Sequence, residues 1–240
     1  TGAQQVAVGG SAMESNTTGY NNTAVGWESM KANTTGALNV AVGQQAMLAN
    51  TTGDKNVCVG HNTLAALTTA DNNTAIGDNA LSANTTGADN TAVGANALDA
   101  NTTAAYNAAF GKDALTANTT GTENTSIGTF SMVNSTTGSF NTALGAGALF
   151  SSQTGADNVA IGLEAMRNTQ ASDNTAVGYR ALKESDGAGN TGIGHSAGIA
   201  ITSGATNTAV GKSSLTTCTT GSHNTVMGAS AGFGITTGSS

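Results

Sequence analysis

One glycine recurs along this chain at an almost constant interval, and that interval limits the fold more than any other feature. It closes an NTAVG-like phrase at Gly9, Gly26, Gly43, Gly60, Gly77, Gly94, Gly111, Gly128, Gly145, Gly162, Gly178, Gly194, Gly211 and Gly228. These fourteen copies are separated by nine steps of 17 residues, then by steps of 16, 16, 17 and 17. A period of 17 is too short for two helices and a turn, and it matches neither a heptad nor a collagen triplet.

Columns read down the copies show what each position must do. Four residues before each glycine stands Asn, from Asn22 to Asn224, with Gln5 in the first copy. The residue just before the glycine is always large and apolar: Val8, Val25 and Val42 early on, then Phe110, Leu144 and Met227. One place earlier the residue is small, as in Ala7, Ala24, Ala41 and Cys58. Three and four places after the glycine come pairs such as Ala46-Met47, Ala80-Leu81 and Ala97-Leu98. The one or two places after the glycine vary freely, from Trp27 and Gln44 to Asp78, Lys112 and Tyr179.

Invariant columns point to a fixed environment and free columns to solvent. Each copy is expected to form two short extended segments, Thr-Ala-Val before the glycine and Ala-Leu with its neighbours after it. NTTG-type turns join them, because Asn and Gly tolerate left-handed backbone and Thr or Asn caps local amides. Stacked coils pair their strands in parallel about 4.8 Å apart, so fourteen coils make a rod of roughly 65 Å. Successive strand residues face opposite ways, so Ala24 and Val25 lie on different faces. One face fills the coil and the other needs a partner. The two sizeable side chains of a coil contribute only about 3–6 kcal/mol, whereas ordering seventeen residues costs about 25 kcal/mol. Association along the whole rod covers the second apolar column.

Composition excludes several classes. The chain has no proline, 33 glycines, 9% charged residues and a formal net charge of −7, with seven Lys plus Arg scattered singly. That leaves no basic patch for nucleic acid or anionic lipid. No apolar run reaches the length of a membrane span, so no membrane insertion is expected of this segment. The regular schedule of aliphatics argues against disorder.

The phrases "NTAVG" (90–94), "NTAIG" (73–77) and "NVAIG" (158–162), each followed by Ala-Leu or Ala-Met, resemble the head repeats of trimeric autotransporter adhesins. They are still more similar to repeat arrays in phage tail fibres and bacterial surface fibres, and the resemblance covers essentially all 240 residues. It implies a left-handed parallel β-roll in which three chains wind about a common axis, with the glycine marking a tight turn after the inner strand. The fold expected is therefore all-β, a parallel β-roll or β-solenoid of about fourteen coils of 16–17 residues. A single repeat array spans 1–240, and its opening "TG" and closing "TTGSS" read as one place in the cycle, a piece of a longer fibre.

Chemistry is sparse. His61, His195 and His223 are the only histidines, and the column holding His61 and His195 reads as exposed turn. Asp54, Asp71, Asp89, Asp157 and Asp173 sit in turns without the fixed placement of a calcium-binding repeat. No nucleophile has a base in reach, so no catalytic residue, metal ligand or cofactor is assigned. Cys58 reads as a small buried hydrophobe and Cys218 as a turn residue exposed to solvent. Asn and Thr columns read as ladders that hydrogen-bond along the stack.

Aromatics in the variable columns are the candidates for recognition: Trp27, Tyr179, Tyr20, Tyr106, Phe130 and Phe140. The expected function is a structural and adhesive fibre segment, a homotrimer that extends a tip and touches a surface glycan or protein receptor outside the cell or on a virion. The alternative is ice or crystal binding, motivated by the threonine columns, although in Thr51-Thr52 only one of the pair can face outward. A hexapeptide-type β-helix enzyme is disfavoured because aliphatics do not recur every six residues.

Overall fold

The computed structural model describes residues 4–238 and contains fourteen three-residue strands, all parallel, with no helix. The chain forms a β-solenoid that divides into two compact units, 1–122 and 123–240. The first unit holds β1 (Val6–Val8), β2 (Thr23–Val25), β3 (Val40–Val42), β4 (Val57–Val59), β5 (Thr74–Ile76), β6 (Thr91–Val93) and β7 (Ala108–Phe110). The second holds β8 (Thr125–Ile127), β9 (Thr142–Leu144), β10 (Val159–Ile161), β11 (Thr175–Val177), β12 (Thr191–Ile193), β13 (Thr208–Val210) and β14 (Thr225–Met227). Within each unit every strand pairs with the next in sequence, and like column meets like column: Thr23↔Val40, Ala24↔Ala41, Val25↔Val42.

Three side chains per strand suffice to define two faces. The middle residue points into the coil, and Ala24, Ala75, Ala143 and Cys58 are all fully buried. The flanking residues point out. Val25 and Val93 are half-buried, and Ile76, Phe110 and Leu144 are about 40% exposed. Both faces of the strand were expected to be covered; in one chain only the small column is, and the large apolar column stands in the open.

The second expected strand does not form. The residues after each glycine make tight turns in which alternate positions are left-handed, as at Glu28 (φ 55°) and Met30 (φ 50°). Left-handed backbone costs a non-glycine residue roughly 1–2 kcal/mol. At the fourth place after the glycine this cost is offset by burial, because the conformation turns the side chain into the coil. Met30, Met47, Leu64, Leu81, Leu98 and Leu115 line the first unit with no exposed surface, and a buried side chain of this size contributes about 1.5–3 kcal/mol.

The glycines that set the period have φ between 125° and 142°. Other side chains seldom adopt this backbone. Space is also closed: a Cβ on Gly145 would lie 2.5 Å from the Gly162 carbonyl oxygen of the next coil.

Backbone hydrogen bonds join neighbouring coils outside the strands as well, for example Met47 N–H to the Thr63 carbonyl (2.9 Å) and Thr51 N–H to the Thr68 carbonyl (2.9 Å). Two files of asparagine reinforce them. In the file four places before the glycine, each Oδ1 accepts the backbone N–H of the next copy: Asn39 to Asn22 at 2.9 Å, Asn73 to Asn56 at 2.9 Å and Asn90 to Asn73 at 3.0 Å. The same file runs through the second unit, as from Asn158 to Asn141 at 3.1 Å. In the NTTG file the side-chain amides bond each other, Asn50 Nδ2 to Asn33 Oδ1 at 2.8 Å and Asn101 Nδ2 to Asn84 Oδ1 at 3.0 Å.

The second unit lacks this inner NTTG file. Ser135, Ser152, Thr169, Ser185, Ile201 and Cys218 replace it, and the hydroxyls of Ser135, Ser152 and Thr169 are buried without a hydrogen-bond partner. At this inward place the short hydroxyl does not reach its counterpart in the next coil, whereas the longer asparagine amide does. The two 16-residue steps lose their residue in the surface turns near 170–173 and 186–189. The buried file continues past both, with Asn174 N–H on Asn158 Oδ1 (3.0 Å) and Asn190 N–H on Asn174 Oδ1 (2.8 Å).

Asn73→Ala strips the acceptor from the buried Asn90 N–H and is expected to cost about 2–3 kcal/mol. The exposed Thr86→Ala should stay within about 0.5 kcal/mol. Urea unfolding of both variants checks the difference.

Candidate functional site

The variable columns are where the coils differ, and the structure places them on the surface in vertical files. All six aromatics singled out from the sequence have exposed surface. Tyr106 is 63% exposed, Phe140 52%, Trp27 50%, Tyr20 49% and Phe130 43%, and Tyr179 is half-buried. Tyr106 (φ 62°), Phe140 (φ 61°) and Phe130 (φ 58°) occupy left-handed positions that other copies fill with residues such as Asn72, Asp89 and Asn96. For these rings no burial offsets the backbone cost.

They do not form one site. Tyr20, Trp27 and Tyr106 belong to the first unit, on separate coils. In the second unit Tyr179 stacks obliquely against His195, with ring centroids 4.9 Å apart, and the Arg180 guanidinium lies 4.8 Å from the Tyr179 centroid. Phe130 lines a surface groove of about 200 Å³.

The groove is built from three successive coils. The columns one, two and five places after the glycine read Thr129, Ala146, Leu163; Phe130, Gly147, Glu164; and Val133, Phe150, Arg167. At the first two of these columns the middle coil carries only Ala146 and Gly147, so a notch opens between Phe130 and the Leu163–Glu164 edge, with Phe150 and Arg167 beside it. Arg167 lies 4.8 Å from the Phe150 ring centroid and donates from Nη1 to Glu164 Oε1 at 2.5 Å. Arg180 Nε donates to the other carboxylate oxygen at 2.7 Å. Hydrogen bonds from Arg180, with Arg167 adding to them, hold the Glu164 carboxyl below the usual carboxylate range. Of the groove residues only Phe130 was singled out from the sequence. The signal for the rest lay in the columns, where Gly147 interrupts a file of side chains between Phe130 and Glu164 seventeen residues away on either side.

The remaining chemistry-bearing residues are dispersed. His61 Nδ1 and Asp78 Oδ1 are 2.8 Å apart on adjacent coils, both well exposed. Among the described residues no group of three or more His, Cys, Asp or Glu is placed to hold a metal ion. Cys218 corrects an expectation: it is fully buried, because it occupies the inward column that elsewhere holds the NTTG asparagine, and its thiol faces the Gly221 carbonyl at 3.6 Å. Cys58 is buried as expected. Burial pushes both thiols above their ordinary pKa. The chain matches no family model, and no curated protein or solved structure matches it. The class established is a parallel β-solenoid of short coils.

Raised thiol pKa values favour the folded state below the unfolded thiol value near 9.0, and this stability is lost as pH rises above it. Both cysteines are expected to resist a thiol reagent at pH 8 in the native protein and to react fully in denaturant, as read by absorbance of the released chromophore.

Proposed function

We propose that this chain is a structural and adhesive segment of an extracellular fibre, assembled from three parallel copies and displayed on a cell surface or a virion. The observation that carries the reading is the outward apolar file. One large aliphatic or aromatic residue per coil, from Val8 through Ile76 and Phe110 in the first unit and from Ile127 through Leu144 and Ile193 to Met227 in the second, points outward and keeps part of its surface exposed. Covering one such residue contributes roughly 0.5–1 kcal/mol. That is trivial for a coil and substantial for a file, which is the signature of lateral association along the coils. Three copies are favoured by the resemblance of the NTAVG-type phrases to trimeric adhesin and tail-fibre repeats. The free columns then serve as the recognition surface for a surface glycan or a protein receptor.

Ice or crystal binding is a second reading, with one observation in its favour. Thr18, Thr35, Thr52, Thr69, Thr86, Thr103 and Thr120 form an exposed file, one per coil. The adjacent threonines are spent on the fold: Thr34 Oγ1 donates to the Thr51 carbonyl at 3.0 Å and Thr51 Oγ1 to the Thr68 carbonyl at 3.0 Å. A single file presents a narrow face to a lattice.

Light scattering should give a mass three times the 23.3 kDa chain. Val42→Asp with Val93→Asp should lower it to that of one chain without loss of strand signal in circular dichroism. A monomeric parent would overturn the assembly reading. Thermal hysteresis at micromolar protein would favour the ice reading.

A further inference from the structure

We propose that the groove of the second unit is a binding site for a carboxylated sugar ring, a pyranose bearing an acid group. The assignment deepens the adhesive reading, and it stands or falls apart from the number of copies in the fibre.

Room is the first argument. Gly147 has φ 62°, a conformation that Asn62, Asn79 and Asn96 adopt in the same column at φ 52°, 54° and 56°. Backbone strain therefore does not demand glycine here. Nor does crowding, since the nearest neighbour of a Cβ at this place would be Glu164 Cγ at 4.0 Å. What the glycine does is leave a space, and a notch of about 200 Å³ suits one six-membered ring.

The walls are the second argument. Phe130 and Phe150 offer aromatic surface to the apolar face of a sugar ring, and Leu163 extends that surface along the groove. Phe150 also supports the Arg167 guanidinium 4.8 Å from its centroid, which fixes the plane in which the remaining N–H groups point.

Charge is the third. Glu164 gives one oxygen to each of two arginines, at 2.5 and 2.7 Å, which ties down its carboxylate and turns both guanidinium groups toward it. Each guanidinium carries five N–H donors and spends one here on Glu164, so donors remain in excess. Three cations, Arg167, Arg180 and Lys183, and two anions, Glu164 and Glu184, gather on this side in a chain whose net charge is −7. A ligand carboxylate matches the excess of donors and the local positive balance. A neutral pyranose matches neither.

The test titrates the intact protein with methyl β-D-glucuronide and with the methyl glycoside of N-acetylneuraminic acid, against methyl β-D-glucoside, followed by amide chemical shifts. At least one acidic glycoside should bind saturably with Kd on the order of 1 mM, as suits a ligand of about fourteen to twenty-two heavy atoms. The neutral glycoside should bind at least about tenfold more weakly. Gly147→Asn should abolish binding with Tm and mass unchanged, because the array already tolerates Asn at this left-handed place. Arg167→Gln should remove the preference for the acid. The proposal is overturned if neither acid shifts any amide up to about 50 mM, if the neutral glycoside binds equally, or if Gly147→Asn binds like the parent. A monomer that still binds the acid would sink the assembly reading and keep the groove. A trimer that ignores the acid would do the reverse.

Discussion

Every other feature of the two units depends on one interaction, the hydrogen bond that a buried asparagine Oδ1 accepts from the backbone N–H of the same column in the next coil. These amides are buried, and an orphaned buried donor costs far more than a formed bond contributes. The asparagine carboxamide reaches across the gap between coils and holds the register, because a slip by one residue would break every bond in the file together. Conservation of length follows from this. The two coils that are a residue short lose it in the turns near 171–173 and 187–189, away from the buried asparagines, whose bonds do not register the change.

Register in turn makes each column a uniform surface. A file of alanine packs inside the strand, a file of methionine and leucine fills the opposite wall, and a file of valine and isoleucine is presented outward. Because like sits on like, a weak preference of one residue is multiplied along the unit. Outward apolar residues that would be unremarked singly become a continuous band, and a break such as Gly147 becomes a notch.

Much of this was legible in the chain. The asparagine column, the turn glycine and the inward alanine were readable because each is nearly invariant in type and spaced by a constant step. Met30 and Leu98 were recognisable as buried, but their backbone was not, since nothing in a Ser-Met or Ala-Leu pair announces a left-handed residue. Tertiary burial overrides local preference there. Cys218 was misplaced because NTTG reads as a surface turn, whereas its first residue points inward. The groove escaped notice for a different reason: its residues are seventeen apart, and only the stacking brings Phe130, Gly147 and Glu164 side by side.

The vertical hydrogen bonds also decide how a unit responds to force. Tension along the stack loads the bonds between two coils as a set, while the coils beyond keep theirs, so the outermost coil is expected to peel away first and alone. Each coil released converts about 5 Å of folded height into as much as about 55 Å of extended chain. A stack built this way is expected to yield coil by coil under a pull, in increments set by the length of one repeat.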